Sequence, residues 1–135
     1  TVWCGPCKML DKHTFQNKDV AEYVNKNYYA VKFNAQGNDV VNFKDKTFTN
    51  PNYNPAKAKS RNSAHEFANA FAIRSYPSIV FLDEDLNLLT TVIGYKKPQQ
   101  LELFLKLFKE NHHKEINSQK EFETYYKAFE PQFKS

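Results

Sequence analysis

The stretch Trp3-Cys4-Gly5-Pro6-Cys7 contains both cysteines of this 135-residue chain, separated by only two residues. Two thiols at this spacing can close a small disulfide ring and open it again, and a helix that begins at the first thiol activates it. Because the ring is so small, a disulfide here removes little entropy from the unfolded chain. The pattern therefore indicates thiol–disulfide exchange chemistry rather than a structural crosslink.

Other chemistries of paired cysteines fit this sequence less well. Two thiolates supply half of a tetrahedral zinc site, but the chain has no second cysteine pair. Covalent haem attachment requires a histidine directly after the second cysteine, where this chain has Lys8. We therefore predict no metal and no cofactor. The four histidines, none at a typical zinc spacing, are His13, His65, His112 and His113.

The composition is that of a globular protein with one domain of ordinary size, because 41% of the residues are hydrophobic and 16% are aromatic. The formal net charge is only +4, and the lysines are scattered along the chain. A nucleic-acid surface needs a basic stripe with base-reading or stacking groups, so binding to nucleic acid is not expected. No apolar run reaches the ~18–20 residues that a membrane-spanning helix requires.

Capping residues and hydrophobic spacing predict the helices and strands. A helix begins near Cys4 or Gly5, and Pro6 fits its first turn, where a missing N–H costs nothing. Ser63 and Glu66 form a capping box before another helix. Further helices are predicted after Asn17 or Asp19, from Pro98 and after Ser118, and strands are predicted at 28–33, 78–82 and 88–93.

The order of these elements predicts an α/β sandwich with a mixed sheet. Strand 28–33 is followed by a helix and then by strand 78–82, which is typical of a parallel crossover. Strands 78–82 and 88–93 are predicted to pair as an antiparallel hairpin. Residues 78–82 show almost no polar alternation, which favours burial on both faces. Residues 38–60, rich in Asn, Lys and Pro, are predicted to be a long loop or insertion.

In four places, in the right order, the chain resembles the thioredoxin superfamily, and most of all the thioredoxin-related proteins of bacteria. The stretch from Trp3 to Lys8 is similar to the thioredoxin active-site sequence without a mismatch. Lys32 stands where thioredoxins carry a lysine near the site, and Tyr76-Pro77 stands at the family's cis-proline. Gly94 matches the glycine that ends the last strand. The resemblance covers about residues 1–111.

The resemblance implies a three-layer α/β/α sandwich. The thioredoxin-like domain would span residues 1–113 with an insertion at about 38–60, and residues 114–135 would form a C-terminal helical extension. Thioredoxins place a β-α-β unit before the active site, and its last strand is the centre of the sheet. That unit, and the buried acid that accepts a proton, would precede Thr1. We therefore expect a C-terminal portion of a longer protein, or upstream residues that are disordered or not recorded.

The motif also carries expected roles. Cys4, where a helix starts, is the expected nucleophile, and Cys7, one turn further, is the expected resolving thiol and the more buried of the two. Pro6 stiffens the turn, Gly5 lets a substrate backbone approach, and Trp3 shields the sulfurs and contacts partners. By resemblance, Gly-Pro between the cysteines favours the reducing direction.

Beyond the motif, the resemblance implies a cis Tyr76–Pro77 bond beside the sulfurs, with the preceding backbone pairing with the substrate. Lys32 either tunes the proton balance of the site or points to solvent. The predicted function is a thioredoxin-like reductase of protein disulfides, whose partners are those substrates and an upstream thiol reductant. The alternatives are an oxidase or isomerase of exported proteins and a redox-inactive binding module with this fold. Such relatives are often exported, which favours a periplasmic over a cytoplasmic location.

Overall fold

A computed structural model of the chain describes all 135 residues and has the mixed α/β content that the sequence predicts. Its contacts group into two compact units, one of residues 1–8 and 32–95 and the other of residues 9–31 and 96–135. No helix is long and apolar enough to cross a membrane. The elements are α1 (Gly5–Met9), which continues as a π-helix (Leu10–Phe15), α2 (Lys18–Asn27), β1 (Val41–Phe43), β2 (Lys46–Phe48), α3 (Glu66–Ala70), β3 (Ser78–Leu82), β4 (Leu88–Ile93), α4 (Pro98–Lys109) and α5 (Gln119–Ala128), with 3-10 turns at Pro55–Lys57 and His112–Glu115.

In the first unit, the predicted insertion is structured. It contains β1 and β2, which pair antiparallel through a two-residue turn at Lys44 and Asp45. Both turn residues have positive φ angles, 51° and 62°. Positive φ at both positions is typical of two-residue hairpin turns whose twist matches that of the flanking strands. The sequence lacks the Asn-Gly or Asp-Gly signal of this turn, so the hairpin was not predicted.

Aromatic rings hold this hairpin against α3. The ring of Phe67 on α3 lies 5.2–5.4 Å, between centroids, from four other phenylalanine rings. One of them, Phe48 of β2, is buried. Such tilted and edge-to-face pairs are the favourable geometries for aromatic rings. The four neighbours are Phe33, Phe43, Phe48 and Phe71.

The second hairpin confirms the predicted strands at 78–82 and 88–93. β3 and β4 pair antiparallel from Ser78 opposite Ile93, with an irregularity after Phe81. The expected burial of β3 on both faces is wrong, because only Phe81 in that strand is buried. The other four residues of β3 are only half-buried.

The predicted strand at 28–33 is not formed. This segment joins no ladder, and Tyr29 and Val31 are exposed. Strand residues satisfy their backbone N–H and C=O groups through a neighbouring strand, and this segment has none. Both sheets are two-stranded and antiparallel, so the predicted parallel crossover and mixed sheet are corrected to two separate hairpins.

The predicted capping box before α3 is also wrong. His65, not Ser63, is the N-cap, and its Nδ1 accepts from the N–H of Phe67 at 3.0 Å. The Ser63 hydroxyl donates to Asn50 Oδ1 at 2.7 Å. The helix therefore begins two residues later than the pattern predicts, because the His65 ring and not the Ser63 hydroxyl accepts the first free N–H.

In the second unit, the predicted helix starts are confirmed. Asn17 Oδ1 accepts from the N–H groups of Asp19 and Val20 and caps α2. α4 begins at Pro98, and the Ser118 hydroxyl caps α5 by accepting from the N–H of Glu121. The core of this unit includes the buried leucines of α4, which are Leu101, Leu103, Leu105 and Leu107.

Candidate active site

Cys4 and Cys7 form a disulfide at the start of α1. The sulfur atoms are 2.07 Å apart, the Cα atoms are 5.3 Å apart, and no free cysteine remains. Cys4 directly precedes the helix, and Pro6 lies in the first turn without interrupting a helical hydrogen bond. Gly5 is exposed, and a Cβ at this position would meet nothing within 4 Å. The helix start is therefore open at Gly5.

The sulfur of Cys4 receives a backbone hydrogen bond. The N–H of Cys7 donates to Cys4 Sγ at 3.2 Å. N–H groups in the first turn of a helix have no intrahelical acceptor and carry the positive end of the helix dipole. Once the disulfide is reduced, this arrangement favours negative charge on the sulfur of Cys4.

The two cysteines differ in burial, in the order opposite to the prediction. Cys4 is 2% exposed, whereas Cys7 is partly exposed. Cys7 lies on α1, which buries none of its residues. Cys4 lies instead in the turn before the helix, where its N–H donates to the carbonyl of Thr1 at 3.4 Å. The expectation that Cys7 is the more buried thiol is therefore corrected.

Trp3 is held in place from three sides. Its Nε1–H donates to Gln36 Oε1 at 2.6 Å. The ring of Tyr76 meets it edge-on, with centroids 6.0 Å apart and planes at 80°. The guanidinium of Arg61 lies 4.3 Å from the centre of the indole ring. The structure thus brings two predicted site residues, Trp3 and Tyr76, into contact.

Gln36 and Arg61 were not predicted from the sequence. Neither belongs to a motif, and neither stands at a spacing that indicates chemistry. Arg61 directly follows the Asn- and Pro-rich residues 38–60, which have the composition of an insertion. Gln36 and Arg61 contact Trp3 because the folded chain brings together segments that are distant in the sequence.

The Tyr76–Pro77 peptide bond is cis, as the resemblance implied. The carbonyl of Pro77 accepts a hydrogen bond from the N–H of Gly94 at 2.8 Å. Gly94 has a φ of 89°, in the left-handed region that side chains disfavour, so glycine suits this position. This contact gives Gly94, which the resemblance singled out, a structural part in holding the Pro77 backbone.

Lys32 is not on a strand, contrary to the prediction. It is exposed, in the segment that joins no sheet, which agrees with the alternative that it points to solvent. The physical reason is again that this segment has no strand with which to pair.

No group of three or more His, Cys, Asp or Glu side chains is arranged to hold a metal ion. The Cys4–Cys7 disulfide is a bond that thiol–disulfide exchange can open and close.

Comparison with known proteins gives one match. A family model described as the thioredoxin-like domain matches residues 1–109. No curated protein and no solved structure matches the chain.

Proposed function

Because this chain belongs to the thioredoxin-like domain family, we propose that it is a thiol–disulfide oxidoreductase that reduces disulfides of other proteins. The observation that carries the proposal is the Cys4–Cys7 disulfide at a helix start, with a backbone N–H directed at Cys4 Sγ. A structural crosslink of this size would stabilise the fold only slightly, so an exchange role explains the pair better.

The reaction begins from the reduced dithiol. The Cys4 thiolate attacks one sulfur of a substrate disulfide, an S–S bond forms between protein and substrate, and the second substrate sulfur leaves and takes up a proton. The Cys7 thiol, after losing its proton, attacks Cys4 Sγ. The Cys4–Cys7 bond forms and the first substrate sulfur leaves as a thiolate. Two electrons have then passed to the substrate, and an external dithiol reductant restores the starting state.

The assignment of Cys4 as nucleophile rests on charge rather than on exposure. Cys4 Sγ accepts the N–H of Cys7, which favours its thiolate. Cys7 is more exposed but has no such donor among its hydrogen bonds. Since the thiolate and not the thiol is the attacking species, we give the first step to Cys4.

The surrounding residues are proposed to position the substrate. Trp3 and Tyr76 form an aromatic contact next to the cysteines, which provides an apolar face for a substrate chain. Pro77 directly follows Tyr76, and the backbone before it is proposed to pair with the substrate chain. Gly5 leaves the approach to the sulfurs open. Lys32 is retained only as a proposed influence on the proton balance.

Single-cysteine variants test this mechanism. We expect Cys4→Ser to abolish reduction of an insulin-type protein disulfide in the presence of dithiothreitol. Cys7→Ser should accumulate a mixed disulfide between Cys4 and the substrate, visible as a mass increase under non-reducing conditions. The double variant serves as the control for background reduction.

Two results would contradict the mechanism. A Cys4→Ser protein that still reduces disulfides faster than the double variant would remove Cys4 as the nucleophile. A mixed disulfide that accumulates at Cys7 in Cys4→Ser, and not at Cys4 in Cys7→Ser, would reverse the two roles, in keeping with the greater exposure of Cys7.

A further inference from the structure

A cationic side chain lies beside the proposed reaction site. The guanidinium of Arg61 is stacked 4.3 Å from the centre of the Trp3 ring, and Trp3 directly precedes Cys4. Arg61 is exposed and forms no ion pair with an Asp or Glu of the chain. A cation over an indole ring is attracted by the negative face of the ring. This arrangement leaves a positive charge available to solvent next to the cysteines.

One side-chain oxygen fixes both partners of this stack. Gln36 Oε1 accepts from the indole N–H of Trp3 at 2.6 Å and from the backbone N–H of Asn62 at 3.1 Å. A carbonyl oxygen has two lone pairs, so it can accept both. Because Asn62 follows Arg61 in the chain, the same oxygen places the backbone of Arg61 near the indole ring.

A second set of hydrogen bonds holds the chain after Arg61. The side chain of Asn62 accepts from the N–H of Asn54 at 3.0 Å and donates to the carbonyl of Asn54 at 2.9 Å. The buried Asn50 amide donates to the carbonyl of Ser63 at 2.9 Å. Hydrogen bonds therefore fix the loop that contains Arg61, and this loop places the guanidinium over the Trp3 ring.

The charged residues in the stretch that contains Arg61 are all basic. Residues 46–65 contain four basic residues and no Asp or Glu. No internal carboxylate of this stretch competes for the guanidinium.

From these observations we propose that Arg61 selects the substrate class, favouring protein disulfides that have Asp or Glu close to them in sequence. This inference rests on the proposed function. With one face on the indole ring, the guanidinium keeps N–H donors along its edge, and these match the two oxygens of a carboxylate. A segment whose disulfide reaches Cys4 passes next to Trp3, where Arg61 binds a flanking carboxylate.

A binding measurement tests the selection without the redox step. Trp3 is the only tryptophan, so its fluorescence reports on the stack. The oxidised protein is titrated with two peptides whose cysteines are replaced by serine, one flanked by Glu and the other by Lys. We expect the Glu peptide alone to change the fluorescence, with an affinity that falls when salt is raised. Arg61→Gln should remove this binding.

A kinetic measurement uses the corresponding disulfide peptides. At low salt, wild-type protein should reduce the Glu-flanked peptide faster than the Lys-flanked one by up to about fivefold in kcat/KM, the size expected of one exposed charge pair. Arg61→Gln should bring this ratio close to one. Arg61→Lys keeps the charge but loses the planar stack, so it should give an intermediate ratio.

Lys44→Gln is the matched control. It removes the same charge from the β1–β2 turn, where Lys44 Nζ donates to Asn87 Oδ1 at 3.3 Å, and it should leave the ratio unchanged. If the ratio fell equally in both variants, net charge and not Arg61 would explain the preference, and the inference would be overturned.

The remaining outcomes separate the two proposals. If both peptides are reduced at equal rates and Arg61→Gln changes nothing, the selection is wrong and the oxidoreductase stands. If neither peptide is reduced, the proposed function fails, and the fluorescence titration decides whether Arg61 binds acidic segments. A single-stranded oligonucleotide that binds more tightly than the Glu peptide would overturn the inference in favour of a nucleic-acid partner.

Discussion

His65 is completely buried, and both of its ring nitrogens are hydrogen-bonded. Nδ1 accepts from the N–H of Phe67, so the ring is the neutral form with a proton on Nε2, which donates to the carbonyl of Asp39 at 2.6 Å. A histidine with both nitrogens occupied in this way cannot also bind a metal. This residue is therefore a structural cap of α3, and it drops out of the zinc candidates that the sequence offered.

Glu66, the next residue, makes the stability of the first unit depend on pH. Its carboxylate accepts from the N–H of Thr49 at 2.8 Å and from the Thr49 hydroxyl at 3.1 Å. These hydrogen bonds hold the pKa of Glu66 below its ordinary value of 4.5. Because the pKa is lower in the folded state, the stabilisation is present above pH 4.5 and is lost as the pH falls through the folded value.

We therefore predict that the melting temperature of Glu66→Gln falls less than that of the wild type when the pH is lowered from about 6 to about 3. Glu84→Gln is the control, because Glu84 is exposed and accepts no hydrogen bond in the structure. Wild-type and Glu66→Gln curves that run parallel over this range would show that the Thr49 contacts do not favour the charged form.

The short helix α3 depends on its packing. At five residues it is far below the length at which an isolated helix is stable in water. The ring contacts of Phe67 and the buried His65 cap join it to the β1–β2 hairpin. The helix and the hairpin should therefore form together.

Phe67→Ala tests this dependence. Removing the ring eliminates contacts to four other phenylalanines, and we expect unfolding free energy to fall by about 3 kcal/mol in chemical denaturation. Phe122→Ala on α5, a helix with no buried residue, should cost clearly less. Equal losses in the two variants would contradict the central place of Phe67.

The last residues of the chain are hydrogen-bonded to helices α2 and α4 of the second unit. Glu102 on α4 is completely buried, and its carboxylate accepts from the backbone N–H groups of Gln132 and Phe133 at 2.8–2.9 Å. Lys106 Nζ lies 2.6 Å from the same carboxylate. The N–H of Lys134 donates to Asp19 Oδ2 at 2.8 Å. A buried charge thus holds the C-terminal segment in place.

Glu102→Ala should release this segment. The substitution leaves two backbone N–H groups without their acceptor and leaves Lys106 only its weaker contact with Gln132 Oε1 at 3.2 Å, and we expect a loss of about 3 kcal/mol in unfolding free energy. Hydrogen exchange at Gln132 and Phe133 should accelerate strongly. Glu110→Ala is the control, because its contact with His112 is largely exposed and is worth at most about 1 kcal/mol. Unchanged exchange at both amides would show that the segment is held by other contacts.

Features that depend on a few neighbouring residues were predicted correctly. The helix start at the cysteine pair, the Asn17 cap and the start of α4 at Pro98 each involve groups within one helical turn. The hairpin of β3 and β4 followed from two apolar runs separated by a short turn. In each case the residues that form the hydrogen bonds are close in sequence, so the pattern itself carries the information.

Features that depend on residues distant in the sequence were visible only in the tertiary structure. Whether residues 28–33 form a strand depends on a neighbouring strand that their own sequence does not encode. The greater burial of Cys4 than of Cys7 and the stacking of Arg61 on Trp3 depend on which segments meet in space. Such contacts produce no periodic pattern in the sequence. The pairing of the two cysteines at a helix start was therefore visible in the sequence, whereas their surroundings were set by packing.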